Sequence, residues 1–92
     1  MASVRVVVAS PVGLHARPAA VFVQAVIDSG LPILLSKSDA AGSAPVDARS
    51  ILAVLALDVA HGDEVELIAD GEDAGDVLSS LAALLSHSDA AS

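Results

Sequence analysis

The sequence predicts an α+β open-faced sandwich, in which three helices cover one face of a four-stranded antiparallel sheet in the order βαββαβα. Short segments that are β-branched or alternate polar and apolar residues, as in strands, are interspersed with longer segments whose apolar residues recur every three or four positions, as in helices. A short turn joins two neighbouring extended segments, which favours antiparallel pairing. No repeat or linker interrupts the pattern, so we expect one domain over residues 1–88 and a frayed tail over 89–92.

Seven elements follow from these patterns. The valine-rich first segment ends near Pro11, which cannot donate to a sheet, and the first helical pattern ends at Gly30. Glu64 to Ala69 alternates acidic and apolar side chains, as in a strand with one face in water. The predicted elements are a strand at 3–9, a helix at 16–28, hairpin strands at 32–37 and 43–46 around a turn at 39–42, a short helix ending near 57, a strand at 64–69 and a last helix with its apolar stripe over 77–85.

The start of the second helix has two candidate caps. Asp47 precedes the apolar residues, and Ser50 follows one turn later; both residue types are favoured at helix N-caps. The helix itself carries Ile51, Leu52 and Leu55 and is apolar on most sides. The sequence alone leaves both starting points open.

The composition excludes several classes of partner. The hydrophobic fraction of 54% is almost wholly aliphatic, with one Phe and no Trp or Tyr, so no platform for stacking nucleic acid bases exists. The formal charge of -8 repels nucleic acid backbones and anionic membranes. Every apolar run is too short to span a membrane. The absence of cysteine suits a reducing compartment, and we expect the cytoplasm.

The segment from Pro11 to Ala20 places His15 between a glycine turn and the start of the first helix. The first-turn N–H groups, including those of Ala16 and Arg17, have no intrahelical acceptor and favour a bound anion. A neutral imidazole can attack phosphorus, and a guanidinium can donate to phosphoryl oxygens. These residues predict a phosphoryl-transfer site, although so short a string also allows His15 to cap the helix and Arg17 to lie in solvent.

Residues 13–19, with the sequence GLHARPA, resemble the active-site signature of the HPr family, the histidine phosphocarriers of the phosphoenolpyruvate-dependent sugar phosphotransferase system. The element order, the segment 46–52 and the strand beginning at 62–65 agree, so the resemblance covers nearly the whole chain. It implies a carrier without a cofactor, not an independent enzyme. Enzyme I, charged by phosphoenolpyruvate, would phosphorylate His15 on Nδ1 with help from Arg17, and a sugar-specific IIA component would take the phosphoryl group.

The resemblance also implies a docking surface on the first two helices around His15. A layer of two helices buries its inner stripe first, so some of the matching residues must belong to the core. We expect Leu52 to be the exposed contact. The candidate contacts are Phe22, Arg49, Ile51, Leu52 and Leu55.

Ser50 matches the regulatory serine that an ATP-dependent kinase modifies in some bacterial members of the family. A phosphate at Ser50 would add negative charge beside the docking surface and weaken the binding of an acidic Enzyme I. The same residue can act simply as a helix cap. Both interpretations stay open at the level of sequence.

Two features depart from the family pattern. Many relatives have a glycine after the second helix, where this chain has Asp58, so either the helix is longer or Asp58 adopts a left-handed conformation. Relatives often carry lysines around the docking surface, whereas Arg17 and Arg49 are the nearby cations here. We therefore expect weaker electrostatic steering toward an acidic partner.

Two alternative functions remain. The chain could serve the phosphoryl-donating subunit of dihydroxyacetone kinase, or it could be a ferredoxin-like ligand-binding regulatory domain in which His15 only caps a helix. His61 and His87 lack partners at metal-ligand spacing, so we predict that both are solvated and that no metal site exists. We expect a monomer.

Overall fold

The structure is a computed structural model that describes residues 2–37 and 44–87. The four strands form one sheet in the order β1-β4-β2-β3, and every neighbouring pair is antiparallel. The predicted fold class is confirmed. The elements are β1 (Ala2–Val7), α1 (Ala16–Ser29), β2 (Ile33–Lys37), β3 (Val46–Asp47), α2 (Ile51–Ala56), β4 (Glu64–Ala69) and α3 (Ala74–Ser86).

The central strand β4 sets the register of the sheet. Its last residue, Ala69, lies opposite Ala2 of β1 and Ile33 of β2. Along β4 the side chains of Val65 and Leu67 are buried, while the side chains between them are partly exposed. This alternation gives the sheet one buried face and one face toward water, as the sequence pattern predicted.

The helices cover the buried face with aliphatic side chains. Buried residues recur at helical spacing in α1 and α3, and α1 is followed by the cap residue Gly30, whose φ of 75° is left-handed. Phe22, which the family resemblance suggested as part of the docking surface, is fully buried in this core. The suggestion is wrong for Phe22 because the ring lies on the inner stripe of α1. The buried residues of the two helices are Ala19, Phe22, Val23, Val26, Ala74, Leu78, Leu81 and Leu85.

Two strand boundaries differ from the predictions. β1 ends at Val7, not at residue 9, because the N–H groups of Val8 and Ala9 donate to the carbonyl groups of Asp63 and Leu85 outside the sheet. β3 is reduced to Val46–Asp47, and the predicted hairpin turn at 39–42 lies outside the described residues, as do residue 43 and the tail at 89–92.

Ser50, and not Asp47, caps α2. The Ser50 hydroxyl accepts a hydrogen bond from the N–H of Ala53 at 3.2 Å, whereas the Asp47 carboxylate accepts from the N–H of Arg49. After the helix, Asp58 has a φ of 55°, which confirms the left-handed conformation considered for this position. The chain therefore turns sharply into the segment that leads to β4.

A close backbone contact joins the segment before α1 to the segment after α2. The N–H of Leu14 donates to the carbonyl of Val59 at 2.9 Å. Gly13 is buried beside this bond with a φ of 67°, and a Cβ at Gly13 would lie 2.2 Å from the Val59 oxygen and 2.7 Å from the Cα of Ala60. Only glycine fits this position, and its fit fixes the approach of His15 to the end of α2.

We predict that Gly13→Ala lowers the free energy of unfolding by about 2–4 kcal/mol, because the added methyl group meets backbone atoms that cannot yield locally. Gly62→Ala is the matched control: Gly62 also has a positive φ, but a Cβ there meets open space. It should cost only about 1–2 kcal/mol, the strain of the left-handed conformation. Urea denaturation followed by circular dichroism measures both values. Equal losses in the two variants would contradict the steric role of Gly13.

Candidate phosphoryl-transfer site at the start of α1

His15 is the N-cap residue of α1, but its ring does not cap the helix. The backbone at His15 is extended, with φ -131° and ψ 163°, and the side chain makes no hydrogen bond to a first-turn N–H group. The side chain is 40% exposed. The ring is therefore accessible and is not occupied by the capping role that was the alternative interpretation.

The first residue of α1 makes an unusual turn. Ala16 has a φ of 52°, in the left-handed region that costs an alanine about 1–2 kcal/mol. The N–H groups of Ala16 and Arg17 belong to the first turn and have no intrahelical acceptor. Pro18, which has no N–H, occupies a position where none is needed. The start of α1, which directly follows His15, thus presents N–H donors without an intrahelical acceptor.

Arg17 is an exposed cation on the first turn, two residues after His15. Within the described ranges, its guanidinium makes no ion pair and no hydrogen bond to a side chain. No carboxylate of the described residues neutralises it. Arg17 can therefore donate to an anion at the helix start without first breaking an internal contact.

Asp58 is a neighbour of His15 that the sequence analysis did not assign to the site. Its Oδ1 lies 3.3 Å from the Nε2 of His15, and its side chain is 88% exposed. Sequence reasoning treated Asp58 only as a departure at the end of α2. The signal was this departure itself, because Asp58 places a carboxylate where the family resemblance led us to expect a glycine.

Lys37 and Asp63 stabilise the segment that carries Asp58. The Lys37 Nζ donates to the Asp58 carbonyl at 3.3 Å and lies 3.5 Å from the Asp63 carboxylate. That carboxylate also accepts from the N–H of Ala60 at 2.9 Å. The Ala60 donor, followed by the charge of Lys37, holds the pKa of Asp63 below its usual range. Asp63 therefore stays ionised and keeps the segment in place.

The predicted docking residues of α2 differ in exposure. Leu52 is 77% exposed and Ile51 is 38% exposed, while Leu55 packs partly against the core. α2 packs against α1, so Ile51 and Leu52 lie on the same helical layer as the site. We call Ile51 and Leu52 the apolar patch of α2.

Arg49 is held by a neighbouring carboxylate. Its Nε and one terminal nitrogen donate to the two oxygens of Asp47, each at 3.1 Å. The Arg49 side chain, followed by its backbone N–H, lowers the pKa of Asp47, and both residues stay charged. The pairing reduces the positive charge that Arg49 can offer to a partner.

The other two histidines, His61 and His87, are not part of the candidate site at the start of α1. His61 is exposed in a turn, and His87 is exposed at the end of α3. No three His, Cys, Asp or Glu side chains of the described residues are grouped so that they could hold a metal ion. Among these residues, no helix combines the length and apolar character that a membrane crossing needs.

Comparison with known proteins identifies the class to which this fold and site belong. The family model described as "PTS HPr component phosphorylation site" matches residues 2–87. The phosphocarrier protein HPr of Streptomyces coelicolor is 44% identical over 87 residues, which are 95% of this chain and 90% of that protein. The HPr-like protein Crh of Bacillus subtilis is 44% identical over 71 residues, 77% of this chain and 79% of the relative.

The structural comparison agrees. The crystal structure of a phosphocarrier protein HPr from Bacillus anthracis superposes with a TM-score of 0.82 and 33% identity, covering 91% of this chain and 95% of that chain. The chain belongs to the HPr family, the phosphocarriers of the phosphotransferase system. This assignment overturns the alternative of a ferredoxin-like ligand-binding domain.

Proposed function

We propose that His15 carries the phosphoryl group, accepting it from phosphorylated Enzyme I and passing it to sugar-specific IIA components in the cytoplasm. The observation that carries the proposal is the partly exposed His15 ring, which makes no capping hydrogen bond and lies two residues before Arg17, a cation with no carboxylate partner among the described residues. Membership of the HPr family supports the same assignment. The transfer needs no resident cofactor.

The chemistry follows from the groups at the start of α1. The Nδ1 lone pair of His15 attacks phosphorus, the new N–P bond forms, and the bond between phosphorus and the donor breaks with its electron pair leaving on the donor. Arg17 and the N–H groups of Ala16 and Arg17 stabilise the charge on the phosphoryl oxygens during transfer. The reverse sequence delivers the group to the next acceptor.

We predict that incubation with Enzyme I and phosphoenolpyruvate adds one acid-labile phosphoryl group, which intact mass and phosphorus NMR detect. His15→Ala should abolish the addition, while the matched controls His61→Ala and His87→Ala should leave it unchanged. Arg17→Ala should lower kcat/KM about tenfold to a hundredfold, because a hydrogen bond to a charged group contributes about 1.5–3 kcal/mol to the stability of the transition state. A phosphoryl group that persists in His15→Ala would exclude His15 as the acceptor.

The same carrier chemistry suits either acceptor considered from the sequence. Phosphorylated protein would be mixed with a IIA domain or with the phosphoryl-donating subunit of dihydroxyacetone kinase, and loss of phosphohistidine would be timed in each mixture. Faster transfer to the IIA domain supports the sugar branch. Faster transfer to the kinase subunit would assign the chain to the other branch.

We propose that the apolar patch of α2 is a contact for Enzyme I. Leu52→Ala should raise KM for this protein as substrate of Enzyme I about fivefold to thirtyfold, because a central apolar contact contributes about 1–2 kcal/mol. Stability should change by less than about 0.5 kcal/mol, since the side chain is 77% exposed. Leu34→Ala is the control, on a residue 43% exposed in the sheet. If both variants raise KM equally, the patch is not the contact.

Ser50 supports a separate proposal about regulation. It is partly exposed at the start of α2, directly before Ile51, so a phosphate there would stand next to the apolar patch. A serine kinase would use the Ser50 hydroxyl, which now caps the helix. The modification would keep the capping position and add negative charge.

We predict that Ser50→Asp lowers kcat/KM with Enzyme I about fivefold, which corresponds to a repulsion of about 1 kcal/mol at a partly exposed position. Ser50→Asn is the matched control, because Asn caps a helix as well as Asp but carries no charge. Steady-state transfer at low ionic strength measures the difference. Identical rates for the two variants would exclude the electrostatic effect.

A further inference from the structure

The Asp58 carboxylate has one polar neighbour among the described side chains, the His15 ring. Its Oδ1 lies 3.3 Å from Nε2, the ring nitrogen that the proposed transfer does not use. The side chain is otherwise in solvent, with 88% of it exposed. The two atoms are thus within the range of a hydrogen bond, and a carboxylate in solvent is free to turn an oxygen toward a proton on Nε2.

The backbone at Asp58 is held firmly although its side chain is exposed. The Asp58 N–H donates to the Leu55 carbonyl at 3.1 Å, and its own carbonyl accepts from the Lys37 Nζ. The next residue, Val59, accepts from the N–H of Leu14, one residue before His15. These bonds fix the main chain of Asp58 relative to the segment that carries His15, so the carboxylate starts from a defined position within reach of the ring.

The conformation of Asp58 has a cost that a glycine would avoid. A φ of 55° is left-handed, and a side chain there destabilises the turn by about 1–2 kcal/mol, less for the short polar Asp and Asn than for other residues. Strained positions with a non-glycine residue concentrate at functional sites. At Asp58 the side chain that causes the strain is the one that reaches His15.

We infer that Asp58 is a positioning residue for His15: its carboxylate accepts the Nε2 proton, so the lone pair of the neutral ring is on Nδ1. The second nitrogen of a working imidazole is commonly fixed in this way, and the partner decides which nitrogen carries the proton. The inference rests on the proposed function of His15 and deepens it.

The carboxylate also acts during the transfer itself. When Nδ1 bonds to phosphorus and the bond to the donor breaks, the ring gains positive charge, while the Nε2 proton stays in place. The negative charge of Asp58 lies on the side of the ring opposite the phosphoryl group, where it stabilises the charged ring. Arg17 and the first-turn N–H groups donate to the phosphoryl oxygens, so the positive charge of Arg17 acts on the phosphoryl group and the negative charge of Asp58 acts on the ring.

The first test needs no partner protein. Nitrogen-15 NMR of the free protein, in buffer where the ring is neutral, reports which nitrogen of His15 carries the proton. The wild-type protein should hold it on Nε2, and Asp58→Gly should shift the ring toward a mixture of both forms. An unchanged His15 spectrum in Asp58→Gly would overturn the inference and leave the phosphocarrier proposal intact.

Two further variants separate the carboxylate from other effects. Asp58→Ala removes the carboxylate but keeps a side chain in the left-handed conformation, so it should change the His15 spectrum as Asp58→Gly does. A change in only one of them would assign the effect to the backbone and overturn the inference. Asp28→Asn removes one negative charge near the end of α1 and should leave the spectrum unchanged.

The second test is the transfer rate. Asp58→Gly should lower kcat/KM with Enzyme I about twofold to fivefold, the effect of an exposed ion pair, and it should still accept a phosphoryl group on His15. Its stability should rise, because glycine adopts the left-handed conformation without strain. A rate equal to or above that of the wild-type protein would overturn the role of Asp58 in transfer.

Discussion

The close approach of Gly13 to Val59 and Ala60 is the contact on which the rest of the site depends. Because Gly13 has no side chain, the segment before α1 lies directly on the segment after α2, and the Leu14–Val59 hydrogen bond closes the gap. Two parts of the chain that are far apart in sequence thereby form one edge of the molecule. The position of the His15 ring is thus set by main-chain atoms, which are more rigid than a network of surface side chains.

The chain is acidic, and its four basic side chains differ in whether a carboxylate lies close to them among the described residues. Three of its four basic side chains lie within 4.0 Å of a described carboxylate, and the fourth, Arg17, has no such neighbour among the described residues. A paired cation would have to give up its carboxylate to bind a phosphoryl group, whereas Arg17 would not. Among the described residues, pairing therefore distinguishes these three cations from Arg17, which is available to bind an anion. The pairs are Arg5 with Glu66, Lys37 with Asp63, and Arg49 with Asp47.

The order of elements was predictable because each pattern is local: alternation in β4 and helical spacing in α1 reflect the faces of single elements. The start of α1 was equally predictable as a candidate site, since a short motif contains His15 and Arg17. Features that depend on distant residues escaped prediction. β1 ends early because of bonds to other segments, and Asp58 lies near His15 because the segments before α1 and after α2 meet at Gly13.

The scarcity of aromatic residues in the chain also determines its fluorescence, its near-ultraviolet absorbance and its proton NMR spectrum. The chain has no tryptophan or tyrosine, so in a mixture with a partner the fluorescence and the near-ultraviolet absorbance of those residues come from the partner alone. Its rings are one phenylalanine and three histidines, which leaves the aromatic proton spectrum almost empty. Phe22 is enclosed and two of the histidines are exposed. The His15 ring can therefore be followed directly by proton NMR in the presence of a partner, without an added label.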